Sequence, residues 1–335
     1  MATAKRDDDR LAGYRARRAA ERTPEPVPAD GPLPAGGDDT FVIQEHHARS
    51  LHWDLRLERD GVLVSWAVPK GVPADPSTDH LAVHTEDHPL EYASFEGEIP
   101  RGEYGAGTMT VWDRGTYETE KWSDREVKVV LHGSRVTGRY VLFRTGGKNW
   151  MIHRMDPPAD PDAEPLPAVV RPMLPEERAR LPRDRTRYAF EFAWGGRRLL
   201  AYVEGGRARF SDGDGREAGG PAGLGSRLGA ALGARPAVLD GELAVVEGRE
   251  TYLLFDLLHL DGRSLPEAPY ERRRELLDGL ELNGPRWQTA PWYPGEADAV
   301  RRAARSQGLP GMLAKRLDAP YEPGERSGAW RYVPL

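Results

Sequence analysis

The sequence contains no cysteine and little lysine, and arginine supplies most of its positive charge. Without cysteine there are no disulfides and no thiolate metal sites, so histidine, aspartate and glutamate are the available metal ligands. No apolar run approaches the roughly 20 residues that cross a bilayer. The opening MATAKRDDDR is not followed by the apolar stretch of a secretory signal. We therefore expect a cytoplasmic protein that does not enter a membrane.

The charge balance argues against one class of partner. The formal net charge is -6 at pH 7, whereas proteins that coat long duplexes neutralise many phosphates with lysine and arginine. An enzyme that grips a single strand end is not excluded by this argument. The length of 335 residues exceeds one ordinary hydrophobic core, so two domains are expected.

Composition divides the chain into four parts. Residues 1–40 hold a basic, partly helical segment and then a loop rich in proline and glycine, and neither is expected to join a core. Residues 41–156 contain short strand-like segments without helices between them, which predicts an all-β barrel. Residues 157–170 read as a linker, and strands alternate with helical stretches over residues 171–335. The predicted fold class is α+β, an N-terminal all-β barrel domain followed by a C-terminal mixed α/β domain.

The segment LHWDLRLE carries ionisable side chains at every second position. On a strand they share one face: His52, Asp54, Arg56 and Glu58. A solvated outer face is the ordinary explanation of such alternation. Two imidazoles and a carboxylate would instead leave open positions on a divalent metal, and His46 offers the second imidazole. Arg56 is a fork-shaped donor suited to a phosphate on that metal.

The segment HLAVHTEDHP repeats the alternation. His88 stands directly before Pro89, at a predicted strand end where side chains often reach into a site. A protonated imidazole there would hold a phosphoryl oxygen or protonate a leaving alcohol. The glycine-rich IPRGEYGAG that follows fits neither the dinucleotide pattern nor the P-loop, so we interpret it as a tight barrel turn.

The stretches QEHHARSLHWDLRLERDGVLVSWAVPKGVP and LAVHTEDHPLEYASFEGEIPRGEYGAGTMTVWDRGTY resemble the 3′-phosphoesterase domain of bacterial DNA ligase D. The resemblance covers about residues 7–156. It implies a β-barrel that binds manganese and removes a 3′-terminal ribonucleotide and then a 3′-phosphate; it leaves other divalent metals open. The implied metal ligands are His46, His52 and Asp54, the implied phosphate contacts are Arg56 and His88, and the implied pocket residues are Glu86 and Tyr92.

From about residue 171 the chain resembles the adenylation domain of ATP-dependent DNA ligases, in FEFAWGGRRLLAYVEGG, VLDGELAVV and LPGMLAKRLDAPYEPGERSGAWRYV. The resemblance implies a nucleotidyltransferase-like fold in which a lysine amine attacks ATP. Ala193 occupies the position of that lysine, and Lys315 is the only lysine after Lys148. Expected residues are also missing at Pro310, Tyr332 and Pro334. The residues left to shape a nucleotide or DNA-end pocket are Arg198, Asp240, Glu242, Phe255 and Lys315.

The principal hypothesis is a metal-dependent phosphoesterase that heals DNA 3′ ends in break repair, joined to a ligase-like domain without ligase activity. Its expected partners are DNA 3′ ends or primer-template and other bacterial end-joining proteins, with association to the nucleoid when bound to DNA. The alternatives are an ATP-dependent DNA ligase and a non-catalytic end-joining scaffold. A further alternative is a non-haem iron oxygenase, with a facial triad of His52, Asp54 and a distant histidine such as His153.

Overall fold

The residues that the computed structural model describes are 9–18, 21–177, 180–233 and 235–335. The chain divides into two compact units, Met1–Pro161 and Asp162–Leu335. This division falls inside the predicted linker, and the four predicted parts themselves stay predictions. None of the helices in the described ranges has the length and hydropathy that a membrane span requires.

Nine strands build the first unit within its described residues. They are β1 (Thr40–His47), β2 (Leu51–Arg59), β3 (Val62–Val68), β4 (His80–His84), β5 (Gly97–Ile99), β6 (Gly107–Trp122), β7 (Glu126–Gly133), β8 (Thr137–Gly146) and β9 (Asn149–Arg154). The hydrogen-bonded order is β1-β2-β3-β4-β9-β8-β7-β6, and β6 also pairs with β1. Eight strands therefore close into a barrel, with β5 added beside β6, and closure leaves no free edge between β1 and β6.

Alternation along β2 separates the barrel core from a polar face. Trp53, Leu55 and Leu57 are buried in the hydrophobic core of the first unit. The opposite face holds Asp54 and Arg56, which are also buried, at 6% and 1% exposure. A solvated outer face therefore does not explain the ionisable residues of this strand.

The N-terminal segment covers part of the barrel, so our expectation that it would stay out of the core is wrong. Leu11 and Tyr14 belong to the core cluster of the first unit, and Glu25 is 4% exposed. The predicted helix is short in the described residues, where α1 spans Ala12–Arg15. Residues 1–8 and 19–20, including part of that predicted helix, lie outside the described residues. Buried side chains, including the Tyr14 ring, therefore anchor a segment that has little regular secondary structure in its described residues.

The second unit mixes strands with three helices. Its strands are β10 (Leu174–Glu177), β11 (Tyr188–Ala193), β12 (Arg197–Glu204), β13 (Arg207–Ser211), β14 (Glu217–Ala218), β15 (Ala237–Val246), β16 (Arg249–Leu260), β17 (Arg263–Ser264), β18 (Asn283–Gly284), β19 (Trp287–Thr289), β20 (Tyr293–Pro294), β21 (Gly311–Arg316) and β22 (Arg326–Pro334). Its helices are α2 (Leu224–Leu232), α3 (Tyr270–Asp278) and α4 (Ala297–Ser306).

Two sheets organise these strands. One has the order β10-β22-β21-β11-β20, and the other follows β14-β13-β12-β15-β16-β19-β18 with β17 paired to β16. Helix α4 packs on β11 and β21, and α3 packs on β16. Helix α4 has a short apolar stripe that faces these strands. Its buried residues, Ala297, Val300 and Ala304, follow the helical period of 3.6 residues. The predicted fold class, an all-β barrel followed by a mixed unit, is confirmed.

Tyr14 offers a test of the N-terminal packing. Its ring is fully buried, and its hydroxyl donates to the Pro26 carbonyl at 2.8 Å. We expect Tyr14→Ala to lower the free energy of unfolding by about 3–5 kcal/mol, as for other buried aromatic rings. Tyr14→Phe keeps the ring and should cost about 1 kcal/mol, the value of one hydrogen bond. Chemical denaturation of the whole chain measures both, and equal stability of Tyr14→Ala and the parent would contradict this packing.

Candidate metal and phosphate site

Strand register brings together the three predicted metal ligands. Strands β1 and β2 are antiparallel, and His46 lies directly opposite His52. Asp54 follows two residues later on the same face of β2. One ligand atom from each of the three side chains lies within 4.8 Å of the others.

Backbone carbonyls set the orientation of both imidazoles. His46 Nε2 lies 2.9 Å from the Gly105 carbonyl oxygen, and His52 Nδ1 lies 3.0 Å from the Ser50 carbonyl oxygen. A carbonyl only accepts, so each of these nitrogens carries the proton and the other nitrogen of each ring keeps its lone pair. The two unprotonated nitrogens, His46 Nδ1 and His52 Nε2, face each other at 3.2 Å.

These residues fit a divalent cation. Two lone pairs at this distance repel unless a proton or a metal lies between them. Burial lowers the pKa of His46, which opposes the proton. Two nitrogens 3.2 Å apart suit one shared ion, given metal–nitrogen bonds of about 2.0–2.1 Å. The Asp54 carboxylate adds oxygen ligands: its Oδ2 lies 3.8 Å from His46 Nδ1, and its Oδ1 lies 3.7 Å from His52 Nε2.

Arg56 adjoins the metal ligands, but most of its donors are engaged. Its Nε donates to Gln44 at 2.7 Å, its Nη1 to Ser65 at 2.9 Å and its Nη2 to Asp54 at 2.9 Å. Nη1 also lies 3.0 Å from His88 Nδ1. A guanidinium has five N–H groups, so one remains without a contact of this kind. The Arg56 guanidinium, which the sequence analysis expected to bind phosphate, is thus used mainly for hydrogen bonds to neighbouring protein side chains.

His88 is buried beside two guanidinium groups, an environment that disfavours the expected protonated imidazole. Burial, followed by the charges of Arg56 and Arg18, lowers the pKa of His88 well below its usual value. The imidazole is therefore neutral near pH 7. It contributes hydrogen bonding to the pocket rather than a positive charge.

The N-terminal segment supplies residues that the sequence analysis missed. Arg18 donates to Glu86, and through its Nε to Glu25 at 2.8 Å. Glu25 also accepts from the Tyr92 hydroxyl at 3.0 Å, and the Tyr14 ring lies 5.1 Å from that of His88. The predicted pocket residues Glu86 and Tyr92 thus reach the site through this segment. They line a cavity of about 190 Å³ that also contains the three predicted metal ligands.

Two further residues of the site carried a signal in the sequence. Gln44 lies two positions before His46, so alternation places both side chains on one strand face. Ser65 is the polar residue of the otherwise apolar strand VLVSWAV. Gly105 carried a weaker signal, because its role depends on a backbone carbonyl. Its φ of +80° lies in the left-handed region that glycine adopts readily, which lets the turn present that carbonyl to His46.

The iron-site alternative is not supported by the geometry. His153 Nδ1 lies 2.7 Å from Asp79 Oδ1, and His153 does not belong to the cluster of His46, His52 and Asp54. His46, rather than a distant histidine, completes the cluster with His52 and Asp54.

In the second unit the ligase-like residues pair with one another. Arg198 donates to both carboxylate oxygens of Asp240. Lys315 is fully buried, with its Nζ 2.8 Å from Glu191 Oε2 and 4.2 Å from the ring centre of Phe255. Burial lowers the pKa of Lys315. These contacts bring the predicted pocket residues together around one aromatic ring.

Glu242 closes the loop that would carry a nucleophile. It accepts hydrogen bonds from the backbone N–H groups of Trp194 and Gly196, both at 3.1 Å. Ala193 precedes this loop at the end of β11, opposite Gly311. Position 193, where the resemblance predicts a lysine, therefore carries the methyl group of an alanine. The nearby Glu242 carboxylate already accepts two backbone hydrogen bonds.

Comparison with known proteins confirms both resemblances. Residues 44–144 match the family described as DNA Ligase D 3′-phosphoesterase domain, and residues 242–332 match the ATP dependent DNA ligase domain. The chain is thus LigD-like, with a phosphoesterase domain ahead of a ligase domain. Together with the cluster of two histidines and one aspartate, the first match indicates a divalent metal.

The similar curated proteins are longer than this chain. The "Multifunctional non-homologous end joining DNA repair protein LigD" of Mycobacterium tuberculosis is 44% identical over 342 residues, covering 96% of this chain and 45% of that protein. The "Multifunctional non-homologous end joining protein LigD" of Pseudomonas aeruginosa is 32% identical over 394 residues, covering 96% and 46%. The crystal structure of the M. tuberculosis LigD ligase domain is 31% identical with a TM-score of 0.44, covering 49% of this chain and 58% of that one. The chain spans about half the length of the curated relatives.

Removal of single ligands tests the metal site. His52→Ala and Asp54→Asn each remove one ligand, so we expect them to weaken Mn²⁺ binding by more than the roughly 10–100-fold that loss of an outer-shell partner costs. Isothermal titration calorimetry with Mn²⁺ measures the effect. His153→Ala is the matched control and should bind like the parent. Equal loss in His153→Ala and His52→Ala would instead support the iron-type triad.

Proposed function

We propose that the first unit is a manganese-dependent phosphoesterase that heals DNA 3′ ends. It removes a 3′-terminal ribonucleotide and then the 3′-phosphate, leaving a 3′-hydroxyl for a polymerase or ligase. The protein acts in the cytoplasm during non-homologous end joining, with other end-joining proteins as partners. The observation that carries the proposal is the pair of unprotonated imidazole nitrogens 3.2 Å apart beside Asp54 and a buried arginine.

His46, His52 and Asp54 would hold the metal. A bound divalent ion polarises a phosphate oxygen and lowers the pKa of a water ligand. Arg56 stabilises charge on the phosphate oxygens through its remaining N–H and its full positive charge, which acts strongly in a buried site. His88 lines the same pocket beside Arg56, with its Nδ1 2.8 Å from the Glu86 carbonyl oxygen. The ion pairs of Arg18 with Glu25 and Glu86 hold the N-terminal segment over the pocket. The segment in this position limits the entry of water.

A primer-template with one 3′-terminal ribonucleotide tests the reaction. With Mn²⁺ the intact chain should shorten the primer to a 3′-phosphate and then to a 3′-hydroxyl, resolved by denaturing electrophoresis. His52→Ala should abolish both steps because it removes a metal ligand, and His153→Ala should leave them unchanged. An uncut primer with folded, Mn²⁺-loaded protein would reject the enzyme and favour the non-catalytic scaffold.

We also propose that the second unit does not ligate. Ala193 offers no nucleophile, and Lys315 is held by Glu191 inside a ring of aromatic side chains. An amine in that position is 4.2 Å from the ring centres of both Phe255 and Trp330, so it has little freedom to approach a phosphate. The lowered pKa of Lys315 does not by itself make this residue a nucleophile, because its amine is enclosed by Glu191 and the aromatic rings.

Intact-mass spectrometry after incubation with ATP and Mg²⁺ or Mn²⁺ tests the second proposal. We expect no mass increase of one adenylate group, because covalent adenylation needs an accessible lysine amine. Lys315→Ala is the control and should likewise show no adenylate added to its own mass. An adenylate on the parent that disappears in Lys315→Ala would make Lys315 the nucleophile and restore the ligase alternative.

A further inference from the structure

A second and larger cavity lies in the first unit, apart from the candidate metal site. Its volume is about 610 Å³, within the roughly 300–1,000 Å³ of small-molecule sites. Its lining includes core residues of β3, β7 and β9 together with loop residues that follow β6 and β8. The lining residues that bear on its chemistry are Trp66, His84, Trp122, Arg144, Lys148 and Trp150. We call this cavity the barrel mouth.

Strand alternation separates the barrel mouth from the metal site. On β3, Trp66 lines the mouth while its neighbour Ala67 lines the metal site. After β4, Asp87 lines the mouth while Glu86 and His88 line the metal site. The two cavities therefore lie on opposite sides of the same strands, and the mouth is not an extension of the pocket where chemistry is proposed.

Aromatic rings form one wall of the mouth. Trp66 and Trp150 meet edge to face with ring centres 5.7 Å apart, and His84 lies 6.2 Å from Trp150. Trp122 adds a half-buried ring at the rim. The indole N–H of Trp66 has no hydrogen-bond partner among the described residues, although the residue is only 1% exposed. Trp66 and Trp150 are both buried, so the half-buried Trp122 is the ring that a nucleobase can pack against, since every base has a π-face.

Two cations stand at the rim. Arg144 and Lys148 are exposed, and no ion pair engages either of them within the described ranges. Arg144 donates only through its Nε, to the Gly147 carbonyl at 2.8 Å, so both terminal nitrogens remain available. The third basic residue, Arg10, is neutralised by Asp87 at 2.8 Å. Among the described lining residues, Asp124 is the acidic residue that remains to oppose these two cations.

We propose that the barrel mouth binds single-stranded nucleic acid, with a base against Trp122 and neighbouring phosphates on Arg144 and Lys148. The site goes beyond the proposed phosphoesterase, whose chemistry needs no contact on this side of β3. Aromatic rings beside unpaired cations favour a single strand over an acidic peptide, which has no bases to stack. A duplex keeps its bases paired and presents only phosphates to such a cavity.

The test is the affinity of the whole chain for fluorescein-labelled oligo(dT) with a 3′-hydroxyl, measured by anisotropy without metal. Such an oligonucleotide has no group for the phosphoesterase to remove. We expect the double variant Arg144→Gln/Lys148→Gln to bind more weakly. The slope of log affinity against log salt should fall by about 1.4, since each single-strand phosphate contact contributes about 0.7. Lys128→Gln is the control and should bind like the parent. Lys128 is half-buried, pairs with Glu126 at 3.2 Å and does not line the mouth.

An abasic oligonucleotide of equal length tests the stacking. Its affinity for the parent should be lower by roughly 5- to 150-fold, the effect of one stacked base. Unchanged oligo(dT) binding in the double variant would overturn the site. Equal binding of the abasic strand, or of duplex DNA with the same dependence on Arg144 and Lys148, would overturn its assignment to an unpaired base. His52→Ala should bind oligo(dT) normally, so failure of the phosphoesterase and failure of this site are distinguishable.

Discussion

The antiparallel register between β1 and β2 is the constraint on which the site depends. It places His46 opposite His52, and a shift by one residue would turn one of the two rings to the other face of the sheet. The register is held from both sides, because β1 pairs with β6 along its whole length as well as with β2. The loop between β5 and β6 then supplies the Gly105 carbonyl that orients His46. The strand pairings that close the barrel therefore also fix the positions of the two histidine ligands.

Charge satisfaction explains why the N-terminal segment packs on the polar face of the barrel. A buried guanidinium or carboxylate is costly unless it is paired and hydrogen-bonded. Arg18 forms ion pairs with Glu25 of its own segment and with Glu86 of the barrel, so all three buried charges are paired. The Tyr14 ring closes the same layer against His88 and Tyr92. A segment with one short helix thus sets the polarity of the pocket, because its charges cannot be buried without those partners.

Sequence reasoning reached the parts of the site that lie within one strand and failed where contacts join distant segments. Alternation along LHWDLRLE was enough to place His52, Asp54 and Arg56 on one face, and the strand pattern predicted the barrel. The pair of Arg18 and Glu86 is 68 positions apart, and no periodicity carries that information. The environment of His88 could not be predicted from the sequence for the same reason. Its neutral state follows from burial and from a guanidinium that arrives from the N-terminal segment.

The second unit shows why retained residues are weak evidence for retained chemistry. Asp240 and Lys315 are fully buried, and each faces an opposite charge. Removing one partner of such a pair leaves an uncompensated buried charge, which costs about 3–5 kcal/mol. Tyr321 adds to this, because its hydroxyl donates to Asp240 at 2.7 Å. The fold therefore has its own reason to keep these residues, whether or not the unit reacts with ATP.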